Sequence, residues 1–257
     1  MKKLVALLLF LSSPVYALSD CADKPTCEEI GYTHNEYACD QKIAMPCPFD
    51  SSKIYCPGPI CEPGYFLYSD GSCSLALKSD KTVIGIVFNK EQRLAVSVGA
   101  TMSLQWANNA EETLNENGQE TIVVPGLYSY LVQYETTCTE CCNGRENTKK
   151  IIDFAKANNY VFPAAEYCYN FATSGKGKGS WWLPSNAELR LLFNERDIID
   201  AALEKSGAEQ TKKESHWTSN TALNTDGTLA NFYRPSTNLN GSWNKRVNLF
   251  VKCVTRY

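Results

Sequence analysis

The sequence predicts an α+β protein in which short antiparallel strands and several helices are joined by long loops, preceded by a small cysteine-rich module. Three observations predict this class. Two short, β-branched apolar runs occur at 83–88 and 94–98. Segments with helical spacing or capping signals follow between 148 and 205. Beyond Ser215, short strand-like runs alternate with long polar loops.

The first 17 residues have the form of a secretion signal. Two lysines precede the apolar run at 4–11, and 15–17 resembles a cleavage site. A membrane anchor is the alternative, but the run is well short of the ~20 residues that span a bilayer. We therefore expect an exported protein without a transmembrane segment, located in the periplasm, at the cell surface or outside the cell.

Twelve cysteines divide the chain into a module at 18–78, which contains seven of them, and a domain at 79–257, which contains five. An even number behind a secretion signal predicts disulfides. Zinc is the alternative, at Cys138-Thr139-Glu140-Cys141-Cys142, but that segment lacks a second pair of ligands.

Both counts are odd, so complete pairing within one chain requires a bridge between the two parts. We expect Cys138, Cys141 or Cys142 to provide its C-terminal end, since adjacent cysteines rarely bond each other. One free thiol in each part is the alternative.

Each predicted element of the large domain has a local signal. A polar turn joins 83–88 to 94–98 and predicts a hairpin. Residues 148–159 carry apolar side chains at helical spacing, and 163–171 predict a second helix. Ser185, with a glutamate three residues later, predicts a capping box at the start of a third.

A fourth helix is predicted at 198–205, and short strands at 216–219, 229–233 and 247–254. The net charge is −3, and removal of the signal would take away two lysines and no acids. Nucleic-acid binding needs a surplus of Lys and Arg, so we do not expect nucleic acid as the main partner.

Three short sequence motifs follow one another in the last third of the chain. They are Trp181-Trp182-Leu183-Pro184-Ser185, His216-Trp217-Thr218-Ser219 and Val251-Lys252-Cys253-Val254. In this order the chain resembles the collagen-like adhesin C-terminal domain family, a bacterial relative of the C-type lectin fold, over residues 81–257. The resemblance implies a C-type-lectin-like domain with a binding role.

The resemblance also implies two features of the interior. A disulfide between Cys168 and Cys253 would tie a helix to the last strand, as in the C-type lectin fold. Trp181, Trp182 and Trp217 would belong to the core, where large aromatic side chains contribute most of the buried area.

Calcium-dependent lectins hold their metal with two acidic or amide triplets. The corresponding stretches here are Arg234-Pro235-Ser236 and Trp243-Asn244-Lys245. Cations stand where carboxylates are needed, and they would repel calcium. We therefore expect no metal and no cofactor.

The same cations predict a different site. Arg234, Lys245 and Arg246 would meet on one face, where arginine offers a fork to sulfate or carboxylate. Ordinary solvated charge is the alternative. Small polar residues and aromatics nearby make an adaptable contact surface. The predicted ligand-binding residues are Tyr233, Arg234, Asn238, Asn240, Trp243, Lys245 and Arg246.

These features predict a secreted bacterial binding module for a glycan, with an anionic glycan as one candidate, or for a host or bacterial surface protein. A non-catalytic structural subunit of a surface appendage or envelope assembly is the alternative. The sequence is compatible with an oligomer. Gly241-Ser242-Trp243 resembles a phrase of the formylglycine-generating enzymes. Those enzymes need reactive C-terminal cysteines, and no hydrolase motif occurs, so we do not expect an enzyme.

Overall fold

The computed structural model describes residues 61–109, 111–127, 143–222 and 227–257, together with the backbone of three strands at 32–33, 45–47 and 50–55. The predicted secretion signal at 1–17 lies outside these residues. So do Cys138, Cys141 and Cys142, the expected ends of a bridge between the two parts of the chain.

The predicted α+β class is confirmed. The helices are α1 Gly144–Asn158, α2 Pro163–Asn170, α3 Asn186–Asn194 and α4 Arg196–Lys205. The strands are β1 Tyr32–Thr33, β2 Met45–Cys47, β3 Asp50–Tyr55, β4 Phe66–Tyr68, β5 Cys73–Ser74, β6 Val83–Asn89, β7 Leu94–Ser97, β8 Met102–Leu104, β9 His216–Thr221, β10 Leu229–Arg234, β11 Leu239–Asn244, β12 Leu249–Val251 and β13 Val254–Arg256.

These strands form three sheets. The first has the order β1-β3-β2. The second, which we call the apolar sheet, has the order β13-β7-β6-β4-β5 and is antiparallel throughout. The third, which we call the polar sheet, has the order β11-β10-β9-β12-β8 and contains one parallel pair, β9 with β12.

The apolar sheet is buried on both faces. Leu94 and Val96 of β7 pack into a core with α3 and α4, whereas Ala95 between them packs into a second core with α1 and α2. The sequence of such a strand is a continuous apolar run, because side chains on both of its faces are buried, alternately in two different cores. The predicted hairpin of β6 and β7 is confirmed.

The predicted boundary at residues 78–79 falls inside the apolar sheet. Strand β4 pairs with β6, with Phe66 opposite Ile86, although the two strands lie on either side of that boundary. A disulfide between Cys61 and Cys73 closes the adjoining β4–β5 hairpin. The division into a module and a domain stays a prediction for the residues before Cys61.

Local capping explains where α1 and α3 begin. The Asn143 side chain accepts a hydrogen bond from the Arg145 backbone N–H, so α1 starts earlier than its apolar spacing predicts. The predicted capping box of α3 is confirmed, because the Ser185 hydroxyl accepts from the Glu188 N–H and the Glu188 carboxylate accepts from the Ser185 N–H.

The single strand predicted at 247–254 is wrong in one respect. The chain pairs with β8 and β9 as β12, leaves the polar sheet, and enters the apolar sheet as β13 beside β7. Cys253 lies at this crossing and forms the disulfide with Cys168 that the resemblance implies. Cys168 lies on α2 rather than on the first and longer helix.

The described helices are short. The longest of them, α1, has 15 residues and includes several charged side chains. A bilayer span takes about 20 apolar residues, and no helix in the described part of the chain reaches that length and composition.

Candidate functional site

The β10–β11 hairpin places the predicted cations at its two opposite ends. Arg234 pairs with Leu239 beside the turn, whereas Lys245 follows Asn244, which pairs with Leu229 at the far end. Five steps of strand separate the two ends, about 17 Å at ~3.3 Å per residue. The structure therefore does not bring Arg234 together with Lys245 on one binding face.

Lys245 is a core residue and not an exposed cation, which corrects the expectation for this side chain. It is 1% exposed, and its ammonium lies 5.1 Å from the centre of the Trp106 ring. The Nζ group donates to the Ile122 carbonyl at 2.5 Å and to the Gly227 carbonyl. Lys245 thus holds two loops against the polar sheet.

Arg234 and Arg246 are half-buried, and each holds a neighbouring segment. The Nε–H of Arg234 donates to the Ser215 hydroxyl at 2.9 Å. The Nη1 group of Arg246 donates to the Asn109 carbonyl at 3.1 Å. Both guanidinium groups therefore have structural partners.

The remaining predicted residues are exposed to different degrees. Tyr233 is buried, and its hydroxyl donates to Asn238 Oδ1 at 2.9 Å. Asn238 is exposed and Asn240 is half-buried. Trp243 is 41% exposed, with its ring 5.7 Å from that of Phe232. Ligand binding by these residues stays a prediction.

A polar cleft of about 360 Å³ lies on another part of the surface. The first turns of α1, residues 178–182 and the strand residue Arg256 line it. Its charged lining residues are Arg145, Glu146, Lys149, Asp153, Lys178 and Arg256. They come from three distant parts of the sequence, so no local motif could have indicated this site.

A buried carboxylate organises the protein beside this cleft. Glu188 accepts hydrogen bonds from the Ser185 N–H at 2.7 Å and from the Trp182 indole N–H at 3.2 Å. It also accepts from the N–H of Gly144, where a Cβ atom would collide with the carboxylate. Burial raises the pKa of Glu188. One side chain therefore caps both α1 and α3.

Basic residues gather around the cleft. The Lys176 Nζ donates to the Arg256 carbonyl at 2.6 Å. Burial lowers the pKa of Lys176, and the positive charges of Arg145 and Arg93 lower it further. The cleft thus lies in a region of positive potential within an acidic protein.

Two ionisable groups are buried near the polar sheet. The Nδ1 atom of His216 lies 2.9 Å from the Glu214 carbonyl, which only accepts, so the ring donates through Nδ1. Burial lowers the pKa of His216 to about 4. Burial also lowers the pKa of Lys252 to about 8, and its Nζ donates to the Gly99 carbonyl at 2.6 Å.

Two observations on the described residues concern cysteine reactivity and metal binding. Cys253 is bonded to Cys168, so it is not a reactive thiol of the kind that formylglycine-generating enzymes use. Within the described residues, no three His, Cys, Asp or Glu side chains lie close enough together to hold a metal ion.

The sequence matches no protein-family model, and it matches none of the curated proteins. The fold is similar to that of a fimbrial protein from Bacteroides ovatus ATCC 8483, with a TM-score of 0.54 at 14% sequence identity. The similarity covers 76% of this chain and 48% of the fimbrial protein, so the chain spans about half the length of that protein.

Proposed function

We propose that this protein is an exported, non-catalytic subunit of a bacterial surface appendage or envelope assembly. The observation that carries the proposal is the fold, which is shared over 76% of the chain with a fimbrial protein. The disulfides support export, because such bonds form and persist outside the reducing cytoplasm.

The β11 edge of the polar sheet, as the described residues form it, supports an assembly role. Strand β11 is the last strand on that side of the sheet. Leu239 and Trp243 lie four residues apart on it, so both point to the same face, and they are 45% and 41% exposed. An exposed edge strand with apolar side chains is a natural surface for contact with another chain.

The buried ionisable groups support a structural role. Glu188 caps two helices, Lys245 binds two loop carbonyls, and the His216 ring packs between Phe193 and Phe250. Each group contributes to the fold, and none is directed to a place where a substrate would react. Recognition of a glycan or protein by the C-terminal loops is the second candidate, favoured by exposed Trp243.

The test is whether the chain is incorporated into material on the cell surface. Mechanical shearing of the source cells should release the protein in a high-molecular-weight fraction, detected with an antibody against the chain. Recovery only as a soluble monomer from the periplasm would contradict the proposal.

A matched pair of variants tests the role of the sheet edge. Trp243→Asp should reduce recovery in the sheared fraction several-fold, because a charge would be buried in the contact. Leu77→Asp places the same charge on another exposed apolar position, 49% exposed, and should leave recovery unchanged. Equal effects of the two variants would exclude β11 as the contact.

A further inference from the structure

The cleft beside α1 carries more positive than negative charge, although the protein as a whole is acidic. Four cations line it against two acids, and the net charge of the chain is −3. One lining lysine, Lys149, pairs with Asp153 at 2.9 Å, and both are exposed. Lys176 adds a further cation close to Arg256. An excess of positive charge remains even when the buried Glu188 is counted as ionised.

Partial burial strengthens the electrostatic attraction between these cations and an anion in the cleft. Arg145 and Arg256 are half-buried, and charges partly removed from water act more strongly on a bound anion than fully solvated ones do. Guanidinium groups also bind carboxylate and sulfate through two parallel hydrogen bonds.

The surface has a further cleft next to the first. A second cleft of about 250 Å³ shares Tyr169 and Lys178 with the first. The Nζ atoms of Lys156 and Lys178 lie 5.3 Å and 5.4 Å from the centre of the Tyr169 ring. Asn159 and Glu166 line the second cleft and offer acceptors. Two neighbouring clefts that both have cations in their lining fit an extended ligand, reaching from one to the other, better than a single ion.

We propose that this groove binds an acidic oligosaccharide, whose carboxylate or sulfate groups contact the cations and whose hydroxyl groups contact the amide and carboxylate acceptors. The site differs from the predicted one on the β10–β11 hairpin. It also stands independently of the proposed assembly role, because a monomeric protein would present the same groove.

The experiment measures binding of defined oligosaccharides to the purified, disulfide-bonded protein by calorimetry at low ionic strength. The probes are oligogalacturonate, which carries carboxylates, and chondroitin sulfate oligosaccharides, which also carry sulfates. Maltooligosaccharides of equal length provide the neutral control, and a polyglutamate peptide of similar charge provides the non-sugar control. At least one acidic sugar should bind about tenfold more tightly than either control.

Variants locate the binding. Arg145→Gln combined with Lys178→Gln should weaken binding of the acidic sugar at least about tenfold. Lys90→Gln combined with Lys212→Gln changes the net charge equally, at exposed lysines outside the groove, and should preserve the affinity. Melting curves establish that each variant is folded.

Four results would overturn the proposal. They are no measurable binding of either acidic sugar, equal binding of the neutral sugar, equal binding of polyglutamate, and unchanged affinity in the folded Arg145→Gln, Lys178→Gln protein. A preference between carboxylated and sulfated probes identifies the acidic group that the groove selects.

Discussion

The apolar sheet and the polar sheet each have five strands, but they bury different kinds of side chain. The central strands of the apolar sheet, β6 and β7, bury a nearly uninterrupted series of aliphatic and aromatic residues. Strand β9 of the polar sheet buries His216-Trp217-Thr218-Ser219-Asn220 instead. Strands β6 and β7 are therefore buried through hydrophobic packing, whereas β9 is buried to a similar degree with side chains that need specific hydrogen-bond partners.

The polar contacts are incompletely satisfied. His216 Nε2, Asn231 Nδ2 and Asn240 Oδ1, all on strands of the polar sheet, are buried without a hydrogen-bond partner among the described residues. A buried polar atom without a partner costs free energy. The stability of the polar sheet should therefore depend more strongly on single side chains and on pH.

The largest expected effect comes from the covalent tie between α2 and the segment at which the chain passes from the polar sheet to the apolar sheet. Cys168→Ser combined with Cys253→Ser opens a loop with a sequence separation of 85. In the chain-entropy model such a bridge contributes about 4.5 kcal/mol to the free energy of unfolding. Urea denaturation of the oxidised protein measures the loss.

The shorter bridge is the matched control. Cys61→Ser combined with Cys73→Ser removes a bridge with a separation of 12, which joins the loop before β4 to strand β5 of the apolar sheet. Its loss should cost about 3 kcal/mol, less than that of the longer bridge. A larger loss for the short bridge would show that the tie between α2 and the crossing segment is not a main source of stability.

The second expected effect is loss of stability in acid. The pKa of His216 is about 4 in the folded protein, and its ordinary value is 6.5. Below pH 6.5 the unfolded chain takes up a proton that the folded protein does not, so stability is complete above that pH and falls between 6.5 and 4. The full loss is about 3 kcal/mol.

A non-titrating side chain isolates this contribution. His216→Phe keeps an aromatic ring between Phe193 and Phe250, so its free energy of unfolding should fall less than that of the unaltered protein between pH 7 and pH 4. NMR titration of the imidazole should give a midpoint near 4 in the folded protein. A midpoint near 6.5, or parallel losses in both proteins, would contradict the assignment.

The smallest expected effect concerns the buried lysines. Lys245→Met removes the donor for the carbonyls of Ile122 and Gly227 and should destabilise the protein by about 2 kcal/mol. Lys252→Met removes the donor for the Gly99 carbonyl alone. It also removes the unfavourable burial of a charge, so it should lower the free energy of unfolding by about 1 kcal/mol or less. Thermal denaturation at pH 7 compares them, and the reverse order would contradict our account of Lys245.

Sequence patterns predicted the helices and strands whose formation depends on residues close together in the sequence. The hairpin of β6 and β7 follows from two apolar runs and a turn, and α3 follows from the Ser185 cap. Strand β11, with the sequence Leu-Asn-Gly-Ser-Trp-Asn, was not predicted, because its residues are mostly polar and it is a strand only through pairing with β10. Strand β8 was missed for a similar reason, since it pairs with β12, far along the chain.

The candidate sites show the same limit. Arg234, Lys245 and Arg246 lie within thirteen residues of one another in the sequence, which made a common face plausible. The hairpin separates the first from the other two, and Lys245 enters the core. Arg145, Lys178 and Arg256 are distant in the sequence, yet they line one cleft.

The sequence alone determined the α+β class and the capped start of α3 and, through the family resemblance, the burial of Trp181, Trp182 and Trp217 and the pairing of Cys168 with Cys253. These depend on signals within a few residues or on a motif pattern. Only the tertiary structure decided which cations line one cleft, and where the chain passes from the polar sheet to the apolar sheet near Cys253. It also decided which of the described polar atoms are buried without partners. The reason is that charge environment and edge pairing arise from contacts between segments far apart in the chain, about which local spacing carries no information.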